Sequence, residues 1–195
     1  MKRAVLALCL LFSISCGEMT RQGTASSYLT VELLEASSGA EPTEFSGDLA
    51  SDVITVVDEV PTVFADTARV EFALRMKDPG PAGSPTTPTS ANAITVDRYR
   101  VRFIRSDGRN EQGVDVPYTF DGAFSVTVSD TASAVFTLVR VQAKREAPLS
   151  GIAGGNGIRL STIAEITFYG HDQTGREVIT TANIGVNFGN WGDPD

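Results

Sequence analysis

The chain predicts an all-β domain, a two-sheet antiparallel sandwich of Ig-like or fibronectin-like architecture. Apolar and polar residues alternate with a period of two through several stretches, which sends successive side chains to opposite faces of a strand. Segments rich in Gly, Pro, Ser and Asp separate those stretches, as strand-connecting loops do. No stretch carries the 3.6-residue apolar period of a helix of three turns or more. Seven to nine strands follow from this pattern, enough for two packed sheets. A C2-like or jelly-roll topology fits the same count. The Cys…Trp…Cys spacing of true Ig domains is absent, so the label describes architecture alone.

The clearest element is residues 161–188. Ala164, Ile166 and Phe168 alternate with Glu165 and Thr167. After Asp172-Gln173-Thr174-Gly175, Val178, Thr180, Ala182, Ile184, Val186 and Phe188 stand at every second position. Two period-two runs around a polar segment ending in Gly read as a β-hairpin. Gly175 takes the positive φ of the turn without a Cβ clash. One face of this hairpin is apolar, so other strands must cover it.

From the N-terminus, Lys2 and Arg3 precede the apolar run AVLALCLLF at 4–12 and then Ser13-Ile14-Ser15-Cys16. That order is a secretory signal; the run is far shorter than the ~20 residues a bilayer core requires. Residues 13–16 resemble the lipobox of bacterial lipoproteins at Ile14, Ser15 and Cys16, with Ser13 where Leu is usual. Ser13-x-Ser15 is also a small-x-small site for ordinary signal peptidase. Either cut leaves Cys16 first, and the resemblance implies a diacylglycerol thioether and an acylated amine on Cys16. The expected organisation is a signal peptide at 1–15, a tether at 16–26, the β domain at 27–189 and a tail at 190–195. Cys9 leaves with the signal, so no internal disulfide is possible and the core alone must hold the domain. Cleavage leaves 14 basic residues against 24 acidic ones, a formal charge of −10. That excess argues against nucleic-acid binding and against electrostatic attachment to anionic lipid, so a membrane partner would be held through the N-terminal lipid.

In the domain, Leu29, Val31 and Leu33 place a first strand near 28–35, with these three on one face. Ser-Ser-Gly, Pro42 and Ser-Gly-Asp make 36–51 a loop. A short β-branched run at 53–57 and an edge segment at 60–64 follow, Pro61 being unable to donate to a ladder. Residues 69–77 alternate cleanly, with Val70, Phe72, Leu74 and Met76 on one face. The stretch 78–92, with four prolines and no large apolar residue, is a flexible loop. It is not a domain boundary, because 27–77 alone holds too few strands to close a core. Residues 94–105 form a long strand, 120–124 a turn, 125–130 a strand and 134–144 another strand. The glycines of 148–159 form a last loop.

Residues 98–124 (RYRVRFIRSDGRNEQGVDVPYTFDGAF) and 161–178 (STIAEITFYGHDQTGREV) resemble short exported bacterial lipoproteins of unassigned function. That resemblance implies a cell-envelope location and a β-sandwich, and it carries over no activity.

Few residue sets point to chemistry, and no catalytic, cofactor or metal residues are assigned. His171 is the single histidine, and a Ser-His-Asp triad would have to use it. Asp172 beside it points to the opposite face, and no Gly-x-Ser-x-Gly elbow occurs. One histidine and no internal cysteine cannot fill a transition-metal site. Asp107, Asn110 and Glu111 in one loop, and Asp193 and Asp195 in the tail, are oxygen donors without EF-hand spacing. GIAGGNG at 151–157 lacks the Gly-Lys-Ser/Thr ending of a phosphate loop. Pairing of carboxylates is spatial, and 24 acids guarantee chance pairs. The least ordinary feature is Arg98, Arg100 and Arg102, alternating with Tyr99, Val101 and Phe103 so that three cations share one strand face. Cross-strand pairing with Glu71, Glu165 or Glu177 is preferred over a ligand face. The expected function is a membrane-anchored, noncatalytic envelope module with a protein or glycan partner. The alternatives are a small secreted hydrolase using paired carboxylates and a carbohydrate-binding module. The latter would need Tyr28, Tyr118, Tyr169 and Trp191 grouped on one face.

Overall fold

The computed structural model describes residues 25–154 and 157–191. The fold is all-β. Among the described residues ten strands run in chain order: β1 (Ser27–Ser37), β2 (Asp48–Asp52), β3 (Thr55–Val57), β4 (Val60–Thr62), β5 (Asp66–Met76), β6 (Ile94–Ile104), β7 (Phe120–Val128), β8 (Thr131–Val139), β9 (Leu160–Asp172) and β10 (Glu177–Gly189). One sheet has the order β1-β5-β8, a second β2-β10-β9-β6-β7, and β3-β4 form a small ribbon. One sheet curls into a half-barrel. The chain passes from the five-stranded to the three-stranded sheet across the short β7–β8 turn.

The apolar faces of the two larger sheets meet through aromatic rings. Phe168 of β9 lies edge-on to Phe72 of β5 at 4.9 Å between ring centres and to Phe136 of β8 at 5.5 Å. Tyr99 of β6 joins them 4.8 Å from Phe136, and its hydroxyl donates to the Thr137 carbonyl at 3.1 Å. Fully buried Phe103 and Phe188 extend the same core. Edge-to-face rings add favourable quadrupole contacts to the area they bury.

The 161–188 hairpin forms as expected, from β9 and β10 in continuous antiparallel register. Gly175 takes φ 78°, and the Asp172 carboxylate caps the turn by accepting from the Thr174 and Arg176 N–H groups and the Thr174 hydroxyl.

Other expectations are corrected. The loop at 36–51 contains β2, which pairs parallel with β10, so the second sheet is mixed. The turn at 120–124 belongs to β7. The strand at 134–144 ends at Val139, and a five-residue helix, α1 (Val141–Arg145), follows. A β-bulge between Val31 and Leu33 turns Leu33 outward and returns Leu34 toward the core. A second bulge, between Val96 and Arg98, leaves Asp97 and Arg98 both exposed. There Gly170 lies so close to the Thr95 backbone that a Cβ would fall 2.3 Å from its carbonyl oxygen.

Candidate functional site

Downstream of that second bulge, β6 resumes strict alternation, with Tyr99, Val101 and Phe103 inward and Arg98, Arg100 and Arg102 outward. The sheet register decides what each arginine meets. Arg100 stands opposite Asp121 of β7 and grips it with two prongs, Nε to Oδ1 at 2.8 Å and Nη2 to Oδ2 at 3.0 Å. Hydrogen bonding from Arg100 holds the Asp121 carboxyl below its usual range. Arg102 stands opposite Glu165 of β9 and donates from Nε and Nη2 to Oε1 at 3.2 and 2.9 Å. The Arg98 guanidinium lies over the Tyr169 ring, 4.1 Å from its centre. Of the other acids weighed as partners, Glu71 lies on β5 and Glu177 on β10.

His171 projects from β9 beside the bulge, which brings Asp97 outward to its Nδ1 at 3.2 Å. Both side chains are half exposed. In the Asp107 loop, Arg105 and Arg109 hold the carboxylate from both sides, which pushes its pKa far below the usual range. Asn110 accepts from the Arg105 N–H. Among the described residues no cluster of three or more His, Cys, Asp or Glu side chains is placed to hold a metal ion. Tyr28 and Tyr118 are exposed, while an arginine covers one face of Tyr169 and of Trp191. Cys16, Gly155, Asn156 and the acidic tail lie outside the described residues.

Two features escaped sequence reasoning. The first is a buried polar cluster where α1, β2 and β5 meet. Lys144 Nζ lies 2.7 Å from Asp66 Oδ1 and donates to the Asp52 carbonyl at 2.6 Å. The two side chains are 1% and 0% exposed. The Ser51 hydroxyl donates to Asp66 Oδ2 at 2.6 Å, and the Gly39 N–H donates to Oδ1 at 2.9 Å. Burial raises the pKa of Asp66, against the opposing pull of Lys144. The Asp52 carboxylate faces elsewhere, taking the Thr55 hydroxyl and the Trp191 N–H. No sequence signal marks this cluster, because Ser51, Asp66 and Lys144 come from separate elements.

The second is a groove of about 670 Å³ between β1 and β10, lined by residues 28–34 of the one and 180–183 of the other. β1 is an edge strand. β2 covers β10 only from Gly185 to Gly189, so residues 177–184 keep one edge without a partner strand among the described residues. β1 and β10 share no ladder, and their backbones approach within 8 Å, too close for a strand to lie between them, so the open donors and acceptors are those of the β10 edge itself. The period-two pattern shows that β10 is a strand, but it carries no information on how far β2 reaches along it.

No protein-family model matches the chain, and no curated protein sequence matches it.

Proposed function

We propose that this chain is a lipid-anchored, noncatalytic module of the bacterial cell envelope, exported by its N-terminal signal and held by lipid on Cys16. Its domain is a two-sheet sandwich of Ig-like or fibronectin-like architecture, a reading supported by the contacts of Phe168 with Phe72 and Phe136 across the sheets. Its partner is an extended polypeptide segment of another envelope protein, which adds as a strand along the free edge of β10. The observation that carries this reading is the edge of β10 over residues 177–184, which has no partner strand among the described residues and borders one groove. Tyr28, Thr30, Thr180, Thr181 and Asn183 line it with uncharged polar groups, and Glu32 there is already paired with Arg75. Backbone pairing would supply affinity, as in other strand-addition complexes.

The test has two arms in the native host. A fatty-acid analogue should label the wild-type protein and leave Cys16→Ala unlabelled; an unlabelled wild type would refute the anchor. A photo-crosslinking residue in place of exposed Thr181 should trap one segment of one envelope protein, whereas the same residue at Arg102 should not. Equal trapping at both positions, or none at Thr181, would refute the edge-pairing reading.

A further inference from the structure

We infer that Lys144 and Asp66 are a site of covalent self-modification, joined by an intramolecular isopeptide bond between Lys144 Nζ and Asp66 Cγ. The reacting groups already touch, with Nζ 2.7 Å from Oδ1, and their side chains are 1% and 0% exposed. Such contact replaces a bimolecular encounter with a positioned one, the largest entropic obstacle to amide formation. Solvent is excluded, so the product is shielded from the water that would hydrolyse it.

Burial also favours the neutral forms the reaction needs. A charged pair in a low-dielectric interior is costly, and moving one proton from the Lys144 ammonium to Oδ1 leaves an amine and a carboxylic acid with no net charge transferred. The raised pKa of Asp66 runs in the same direction. The Asp52 carbonyl holds the amine through one N–H, leaving the nitrogen lone pair for attack.

The atoms balance without a co-reactant. Nζ attacks Cγ and forms the C–N bond. The negative charge of the tetrahedral centre develops on Oδ2, where the Ser51 hydroxyl donates at 2.6 Å, the placement of an oxyanion donor. Oδ1, protonated in the first step, takes a second proton from the nitrogen and leaves as water. The Gly39 N–H also donates to Oδ1 at 2.9 Å. Counting the first proton transfer, one C–O and two N–H bonds break, one C–N and two O–H bonds form, and no oxidant or reductant enters.

The experiment is mass spectrometry of the full chain purified from its host, intact and after digestion. The expected intact mass is that of the processed chain less one water. Digestion should yield a branched peptide pair joined at Lys144 and Asp66, with trypsin failing to cut after Lys144. Asp66→Asn offers an independent arm, since the same bond would then form with loss of ammonia instead of water. Asp66→Ala should restore the linear peptides. The inference is overturned if the wild-type chain has its full mass and releases Lys144 in a linear peptide. It is equally overturned if a lost water maps to a succinimide at Asp107 or Asp121, each of which precedes a glycine.

Discussion

Lys144→Met is the most informative single perturbation of this domain. Methionine keeps the length and much of the volume of the lysine stem, so packing around α1 is largely retained while the cation is removed. The Asp66 carboxylate then stays in a site from which solvent is excluded, with only the Ser51 and Gly39 donors left to it. Breaking a buried pair from one side costs about 3–5 kcal/mol. Two surviving hydrogen bonds on the carboxylate place the expected loss from the pair itself near the lower end, about 3 kcal/mol, to which loss of the inferred amide cross-link would add. For a domain of this size each kcal/mol moves Tm by about 2–4 °C, so the variant should melt ~6–12 °C below wild type at pH 7. The pH dependence gives a second check. Without Lys144, nothing cationic opposes the burial that raises Asp66, so its folded pKa lies well above its unfolded value. A raised carboxyl favours the folded state below the unfolded pKa of about 3.9, and that contribution is lost as pH rises through the folded pKa. The gap between variant and wild type should therefore be widest at neutral pH. Below about pH 4 it should narrow by the cost of the buried carboxylate, leaving ~1–2 kcal/mol for the orphaned Asp52 carbonyl and the pH-independent contribution of the inferred cross-link. Thermal melts of both proteins from pH 3.5 to 8 decide the matter. A Tm change under about 3 °C at pH 7, or a gap that does not vary with pH, would refute the account of the cluster.

Two further outcomes follow from the core and from the hairpin turn. Phe168→Ala removes the ring that touches Phe72 and Phe136 across the sheets and should cost about 3–5 kcal/mol in urea unfolding with little change in m; a cost below ~1 kcal/mol would mean the two faces are not held through this ring. Asp172→Ala should cost about 1–3 kcal/mol at pH 7, because the carboxylate accepts three turn hydrogen bonds. Burial raises the Asp172 pKa, but those bonds and Arg176 outweigh it, so the folded value is lowered. The stabilisation is present above the unfolded pKa near 3.9 and is lost as pH falls through the folded value, so melts of variant and wild type should converge in acid.

What was legible in the sequence followed from local periodicity. The β9–β10 hairpin, β5 and most of β6 alternate over enough residues for one face to be unmistakably apolar. The arginine row was legible for the same reason; that Arg100 meets Asp121 and Arg102 meets Glu165 depends on register with β7 and β9, which no single strand encodes. Bulges defeat periodicity by inserting one residue, which is why Leu33 was assigned to the wrong face. β2 was missed because Asp48-Leu49-Ala50-Ser51-Asp52 is polar for a strand. It is a strand because β10 lies beside it and Leu49 and Ser51 are buried. The Lys144–Asp66 cluster was illegible because α1 is too short to show a helical period, and a buried lysine looks in sequence like any surface lysine.

The parallel pairing of β2 with β10 sets an order of events in the life of the chain. β2 is made early and β10 is the last strand of the described chain, so the neighbour that β2 needs leaves the ribosome long after it. Pairings between such distant segments form late and slow the folding rate, because a large loop must be closed before any contact rewards it. Until β10 emerges, β2 lacks its only partner and β9 has a neighbour on one side alone, so a nascent chain stalled before residue 177 would present open edges that invite aggregation. Export as proposed above would make use of that delay: with its C-terminal strand still behind the barrier the domain could not close, and the chain would stay extended until nearly all of it was delivered.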